Sequence, residues 1–376
     1  MSSFVRWTTL AALALPACQS SPPGSTPAAA STAGGVGLTA PAPVGPDGPR
    51  VLVYHDMEGL AGQNDPTTYR FNHPESYPKG QEMLVTDLNA VIAGLFDGGA
   101  REVHVIDAHG SGNPEPDVLT AKLDPRAKQV FRETPIQSYV DVVAPNSYDA
   151  VVAVGMHAKT GSRGFASHTY TIGIELQING VPITESELVG YSWGRVGVPM
   201  VLVTGDDRLQ NDLKTMPWIE FVVTKQATAA DSATLRPVAE VHAEMTQAAK
   251  RALEKRDQAK AMTFTGPLRV ALRAVPPASL ELMKGFPGVT YRDNTVEFEA
   301  KDFGEAYAGW VAIIGVARQS YSQVLSEMLR ARPDGAQLMQ AYSDRLFQRW
   351  MDVESNRWTP PAPTAPVAGK LYHGAN

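Results

Sequence analysis

Four short apolar runs recur along the chain with longer stretches between them: Val51-Leu52-Val53-Tyr54-His55, Val103-His104-Val105-Ile106, Ala150-Val151-Val152-Ala153-Val154 and Met200-Val201-Leu202-Val203. Each is short, apolar and contains β-branched valines, which reads as a strand. After the first run, Leu84, Leu88, Val91, Ile92 and Leu95 fall three or four residues apart, and Gly98-Gly99 follows. That is one apolar helix face with a stop signal. Strand–helix alternation of this kind builds an α/β fold, a mostly parallel sheet core flanked by helices, expected over residues 50–218. The segment from Thr169 to Ile183 differs. It carries Asn179-Gly180, the pair preferred in a tight antiparallel hairpin. From Leu268 to Lys301 the pattern reads strand, helix, strand, strand, with a long helix from about Phe303. A smaller α+β second lobe is therefore expected over 219–320. A helical extension with Leu338, Tyr342 and Trp350 is expected over 321–358, and an irregular tail over 359–376.

The first residues read as a targeting segment. Arg6 supplies a positive charge, and Leu10-Ala11-Ala12-Leu13-Ala14-Leu15 is an apolar stretch too short to span a bilayer. It ends in Leu15-Pro16-Ala17-Cys18, which is similar to a lipoprotein lipobox, although Pro16 is an unusual occupant. Residues 1–18 are thus expected to be a signal peptide, with membrane contact through a lipid on Cys18 and export to the bacterial cell envelope. An ordinary cleaved signal peptide is the alternative. Residues 19–49 are rich in Pro, Gly, Ser, Thr and Ala. They offer little to bury and are expected to form a flexible tether. Cys18 is the single cysteine of the 376 residues, so a disulfide framework and a cysteine-rich metal site are excluded. The net charge of −6, with no basic run, gives no reason to expect nucleic acid as a partner.

Three of the four apolar runs lead into residue types that bind metal: Asp56-Met57-Glu58-Gly59, Asp107-Ala108-His109-Gly110 and Gly155-Met156-His157-Ala158. In parallel sheets, sites form beyond the carboxyl ends of the strands, so Asp56, Glu58, His109 and His157 should converge. Alternate residues of an extended segment point the same way. Asp56 and Glu58 can share one side, while His55 points to the other and is expected to be a buried, hydrogen-bonded structural histidine. Each residue alone has an ordinary explanation, since an aspartate at a strand end is often a cap or turn residue and a lone histidine is more often packing than a ligand. The agreement of several strand ends carries the inference.

Two further candidates follow. In Thr184-Glu185-Ser186-Glu187, Thr184 and Glu187 match a helix capping box. Glu185 is then left free for a site, or merely adds favourable charge at a helix start. His168, in Ser167-His168-Thr169, follows a Gly- and Ser-containing loop and could donate a proton or stabilise an oxyanion. Lys159 and Arg163 could grip a substrate carboxylate, although as surface charges they need no function.

The ordered set Asp-x-Glu-Gly, Asp-x-His, Gly-x-His-Ala, Ser-His and Pro-x-x-Glu resembles the D-aminopeptidase family of metallopeptidases over about residues 50–315. The stretches Val203–Arg208 and Val296–Asp302 share in the likeness. The resemblance implies Asp56 as a bridging metal ligand, Glu58, His109, His157 and Glu185 as further ligands, and His168 as the catalytic histidine. It also implies an α/β core with a smaller second part and a homo-oligomer. His55 departs from the small residue usual there, and the leader and the C-terminal extension are additions. The resulting expectation is a two-zinc aminopeptidase acting on short peptides containing D-amino acids, such as D-Ala-D-Ala, with Zn2+ as cofactor and small peptides as partners. Two alternatives stay open: another two-metal hydrolase, an amidohydrolase or phosphoesterase, or a non-catalytic peptide-binding surface lipoprotein. Dinucleotide, Walker, His-Glu-x-x-His and Gly-x-Ser-x-Gly motifs are absent.

Overall fold

The computed structural model describes residues 34–359, except 114, 131–138, 140, 143–146, 277, 318–320, 356 and 358. The proposed leader, Cys18 and most of the expected tail lie outside the described residues. In chain order the strands are β1 (Gly35–Thr39), β2 (Arg50–His55), β3 (Glu102–Asp107), β4 (Ala127–Gln129), β5 (Ala150–Met156), β6 (Ile174–Ile178), β7 (Val181–Pro182), β8 (Met200–Asp206), β9 (Glu220–Ala229), β10 (Ser232–Leu235), β11 (Ala261–Thr265), β12 (Leu268–Ala274), β13 (Thr290–Arg292) and β14 (Thr295–Ala300). The helices are α1 (Tyr77–Asp97), α2 (Glu185–Gly194), α3 (Asp207–Asp212), α4 (Val238–Glu254), α5 (Phe303–Ala317), α6 (Tyr321–Ala331) and α7 (Gly335–Glu354).

The four apolar runs are β2, β3, β5 and β8. They lie inside a seven-stranded sheet of order β10-β9-β8-β5-β2-β3-β4, parallel throughout except for β10. The alternation within β2 feeds two separate cores. Val51 and Val53 pack with Leu84, Leu88 and Ile92 of α1 and with Met245 and Ala248 of α4. Leu52 and Tyr54 face Leu188 and Trp193 of α2 and the antiparallel sheet β13-β14-β12-β6-β7. Asn179 and Gly180, at φ 53° and 80°, make the turn between β6 and β7, as the Asn-Gly pair requires.

Two boundaries differ from expectation. The second sheet does not begin at residue 219, because β9 pairs with β8 and α4 packs under the first sheet. Instead the β6–β7 hairpin, from within the first half, pairs with β12. Hydrophobic periodicity reports strands but not partners, so this interleaving had no local signal. The expected tether also contributes structure, since β1 pairs with β11 and Asn179 Nδ2 donates to Gly34 O at 2.6 Å. Val36 and Leu38 stay exposed there, so backbone pairing rather than burial holds the strand. Among the described residues, no helix is long and apolar enough to cross a membrane.

Candidate metal centre

The carboxyl ends of β2, β3 and β5 lie side by side in the parallel sheet, and two glycines let their loops meet. A Cβ on Gly59 would stand 1.9 Å from Met156 O, and one on Gly155, at φ 74°, would stand 2.3 Å from Asp56 O. Only glycine permits this approach. Gly59 N donates to Gly155 O at 2.7 Å and Asp56 N to Val154 O at 2.8 Å, which locks the loop after β2 onto β5.

All six sequence candidates come together here. Asp56 Oδ1 lies 2.8 Å from His109 Nδ1, and Glu58 Oε2 lies 3.1 Å from the same nitrogen. Asp56 Oδ2 lies 3.4 Å from His157 Nε2, as does Glu185 Oε2. The cluster contains two triads, Asp56–Glu58–His109 and Asp56–His157–Glu185, joined through the two oxygens of Asp56, and a third group, Glu58–His157–His168, whose donor atoms also lie within 4.8 Å of one another. His168 stacks on His157 with ring centroids 4.0 Å apart, and its Nε2 lies 3.7 Å from Glu185 Oε1. Glu185 opens α2, where Thr184 and Glu187 form the full capping box. Glu187 is thereby occupied while Glu185 turns inward and accepts from Tyr170 N at 2.6 Å.

The histidine tautomers follow from their neighbours. A carbonyl oxygen can only accept, so a ring nitrogen facing one carries the proton. His109 Nε2 faces Tyr69 O at 2.7 Å, His157 Nδ1 faces Ala158 O at 3.0 Å and His168 Nδ1 faces Ala166 O at 2.8 Å. Each neutral ring therefore turns a lone pair to the centre. His157 Nε2 is buried with no hydrogen-bond partner among the described residues. Anchoring one imidazole nitrogen on a backbone carbonyl while the other ligates is the usual arrangement of metal-binding histidine. The donor set, three carboxylates and two imidazoles, fits a borderline cation such as zinc.

The charges balance internally. Burial would raise the Asp56 carboxyl, but His109 and His157 hold it well below the ordinary range. Burial and the Asp56 charge push Glu58 up. Burial would lower both imidazoles, yet Glu58 and Asp56 raise His109 well above its usual value, and Glu185 and Asp56 do the same for His157. In the metal-free site these protons neutralise the carboxylates; a divalent cation would have to displace them, so its affinity would fall with falling pH.

Three supports had no sequence signal beyond their residue type. Lys225 on β9 is fully buried; its Nζ donates to Glu58 O at 2.7 Å, Gln63 Oε1 at 2.9 Å and Gln63 O at 3.0 Å, and sits 4.1 Å from the Phe165 ring centroid. Tyr69 supplies the carbonyl that orients His109, and Tyr139 lines the cavity over Asp56 and Glu185. His55 departs from expectation: it is buried, but neither ring nitrogen has a hydrogen-bond partner among the described residues, and Asp107 Oδ2 stays 3.9 Å away. Lys159 pairs with Asp212 and Ser162, so it is committed to the fold and does not line the cavities beside the cluster.

A family model described as D-aminopeptidase matches residues 50–312. The chain belongs to the D-aminopeptidase family. Among similar proteins, the D-aminopeptidase of Bacillus subtilis (strain 168) is 26% identical over 269 residues, which cover 70% of this chain and 96% of that one. The solved structure of the Zn-dependent D-aminopeptidase DppA from Bacillus subtilis, a self-compartmentalizing protease, aligns with a TM-score of 0.61 at 25% identity. That alignment covers 72% of this chain and 98% of the other. Membership makes this D-aminopeptidase family chain a metallo-aminopeptidase, a hydrolase, and sets aside the phosphoesterase and non-catalytic alternatives.

Proposed function

We propose that this chain is a zinc aminopeptidase that holds two ions and removes the amino-terminal residue of short peptides containing D-amino acids, D-Ala-D-Ala among them. Asp56 would bridge the ions, Glu58 and His109 completing one site and His157 and Glu185 the other. The observation that carries this reading is the pair of triads sharing one carboxylate, with both imidazole lone pairs aimed inward. When bound, such ions polarise the scissile carbonyl and lower the pKa of the attacking water.

The substrate's free amine would be held by one of the ions, which accounts for cleavage at the peptide's amino end. The protein's own groups supply the rest. His168, with its proton held on Nδ1 by Ala166 O, keeps Nε2 available on the site side to hold or move a proton during attack and departure. Tyr139 and Ile172 wall the cavity of about 210 Å3 over the centre, limiting water there. The relative's self-compartmentalizing character supports a homo-oligomer here as well.

The deciding experiment compares D-alanyl and L-alanyl dipeptides, with and without a chelator. Chelator-sensitive cleavage of the D-peptide is expected; equal activity on both stereoisomers, or indifference to chelator, would refute the reading. The leader, with Arg6, the apolar stretch 10–15 and Cys18, supports export and lipid anchoring in the cell envelope. Cys18→Ala should then move the protein from the membrane fraction to the soluble one, and an unchanged distribution would count against the anchor.

A further inference from the structure

Beside the metal centre lies a second cavity of about 650 Å3, which shares Glu58, His109 and His168 with the first and has Tyr69, Arg70 and Asn72 on its wall. Arg70 is the one lysine or arginine among the described residues lining either cavity. It is exposed, and its guanidinium has no ion-pair partner among the described residues. Its backbone is nevertheless fixed to the metal centre on both sides. The preceding carbonyl, Tyr69 O, accepts from His109 Nε2 at 2.7 Å. The following amide, Phe71 N, donates to Ser111 O at 3.2 Å, two residues beyond His109. Arg70 N itself donates to Thr67 O at 3.3 Å. The segment that orients a metal ligand therefore also presents a free cation to the same cavity.

We propose that Arg70 forms a subsite for the free terminal carboxylate of a peptide of two or three residues whose amine is held at the metal centre. This rests on the aminopeptidase reading above. Arg70 places a cation on the cavity wall, so a short peptide whose amine is held at the centre would present its terminal carboxylate to a wall of opposite charge. Two extended residues span at most about 7 Å, so the carboxylate of a short peptide stays inside such a cavity, whereas a long chain carries its own far outside. The planar guanidinium can take a carboxylate through two parallel hydrogen bonds. Arg70 would thus select peptides by length and by a free carboxyl end, a choice the metal ligands cannot make.

The test uses the zinc-loaded full chain with D-alanyl-D-alanine and its carboxyl-terminal amide. In the wild type, kcat/KM for the acid should exceed that for the amide by about tenfold or more, expressed mainly in KM. In Arg70→Gln the acid-to-amide ratio should fall to near one, and in Arg70→Lys, which keeps the charge but not the fork, it should be intermediate. High ionic strength should erode the preference in the wild type and leave the Gln variant's ratio unchanged. A wild-type ratio near one, or a ratio that Arg70→Gln leaves unaltered, would overturn the assignment. Failure of the aminopeptidase reading looks different, with neither peptide hydrolysed by the wild type. Calorimetric binding of the two peptides then decides. Tighter binding of the acid by the wild type, but not by Arg70→Gln, upholds the subsite, and equal affinities reject it.

Discussion

His55 and Asp56 are neighbours in the chain, yet they belong to two different polar clusters. Asp56 joins Glu58, His109, His157 and Glu185, where opposite charges lie within 3.4 Å and sustain one another. His55 joins Asp107 and Asp117 on the other side of the strand end. There the imidazole is 3.9 Å from a carboxylate and burial dominates: it pushes His55 down to about 4, Asp107 up to about 6 and Asp117 up to about 7. The first cluster holds charge and opens onto two cavities. The second is pressed toward neutrality and tied into the fold, since Asp107 accepts the amides of His109 and Asp117, and Asp117 accepts from Ser111 and Tyr77. The same residue types thus gather charge beside a cavity, where a cation could be held, in one place and position a loop in the other.

The comparison can be broken most severely at Asp56. Because it faces both triads, Asp56→Ala should abolish binding of both ions and lower kcat/KM by at least about 10^3-fold, while circular dichroism shows the fold retained. His168→Gln should lower kcat by about 10^2- to 10^4-fold with the zinc content unchanged; loss of zinc would instead make His168 a ligand. Lys225→Met strips the support behind Glu58. It should weaken zinc binding about 10- to 100-fold and lower stability by about 2–4 kcal/mol, measured by metal competition and thermal melts.

The smallest effect sharpens the other side. Asp117 has a folded-state pKa raised from 3.8 to about 7. The folded chain then binds the proton more tightly, so this group's contribution is full below pH 3.8 and lost as pH rises through 7. Asp117→Asn cannot ionise. Between pH 5 and 8 the metal-free wild type should lose stability relative to it, by on the order of 2 kcal/mol. Parallel melting curves across that range would contradict this.

The site was legible in the sequence for reasons of short range. Parallel strands place their carboxyl ends together and the capping box leaves Glu185 free, both written within a few residues; Asp56 and Glu58 do share one side, but through the turn that follows β2, where Met57 N donates to both carboxylates, rather than through strand alternation. What depends on distant partners was not legible. Lys225 meets Glu58 across 167 positions, Tyr69 orients His109 through a backbone carbonyl that has no residue-type signature, and β1 pairs with β11 across more than two hundred residues. The same holds for the fold: the strands of the parallel sheet announce themselves by apolar runs, whereas the pairing of the β6–β7 hairpin with β12 is a tertiary choice.

The central claim is that Asp56 joins two triads into one centre for a pair of ions, and the most direct test is the zinc stoichiometry of the purified chain by elemental analysis, for the wild type, Asp56→Ala and Glu185→Ala. Two zinc ions per wild-type chain, none in Asp56→Ala and one in Glu185→Ala is the predicted result; a wild-type chain that binds no zinc, or an Asp56→Ala chain that keeps both ions, would contradict it.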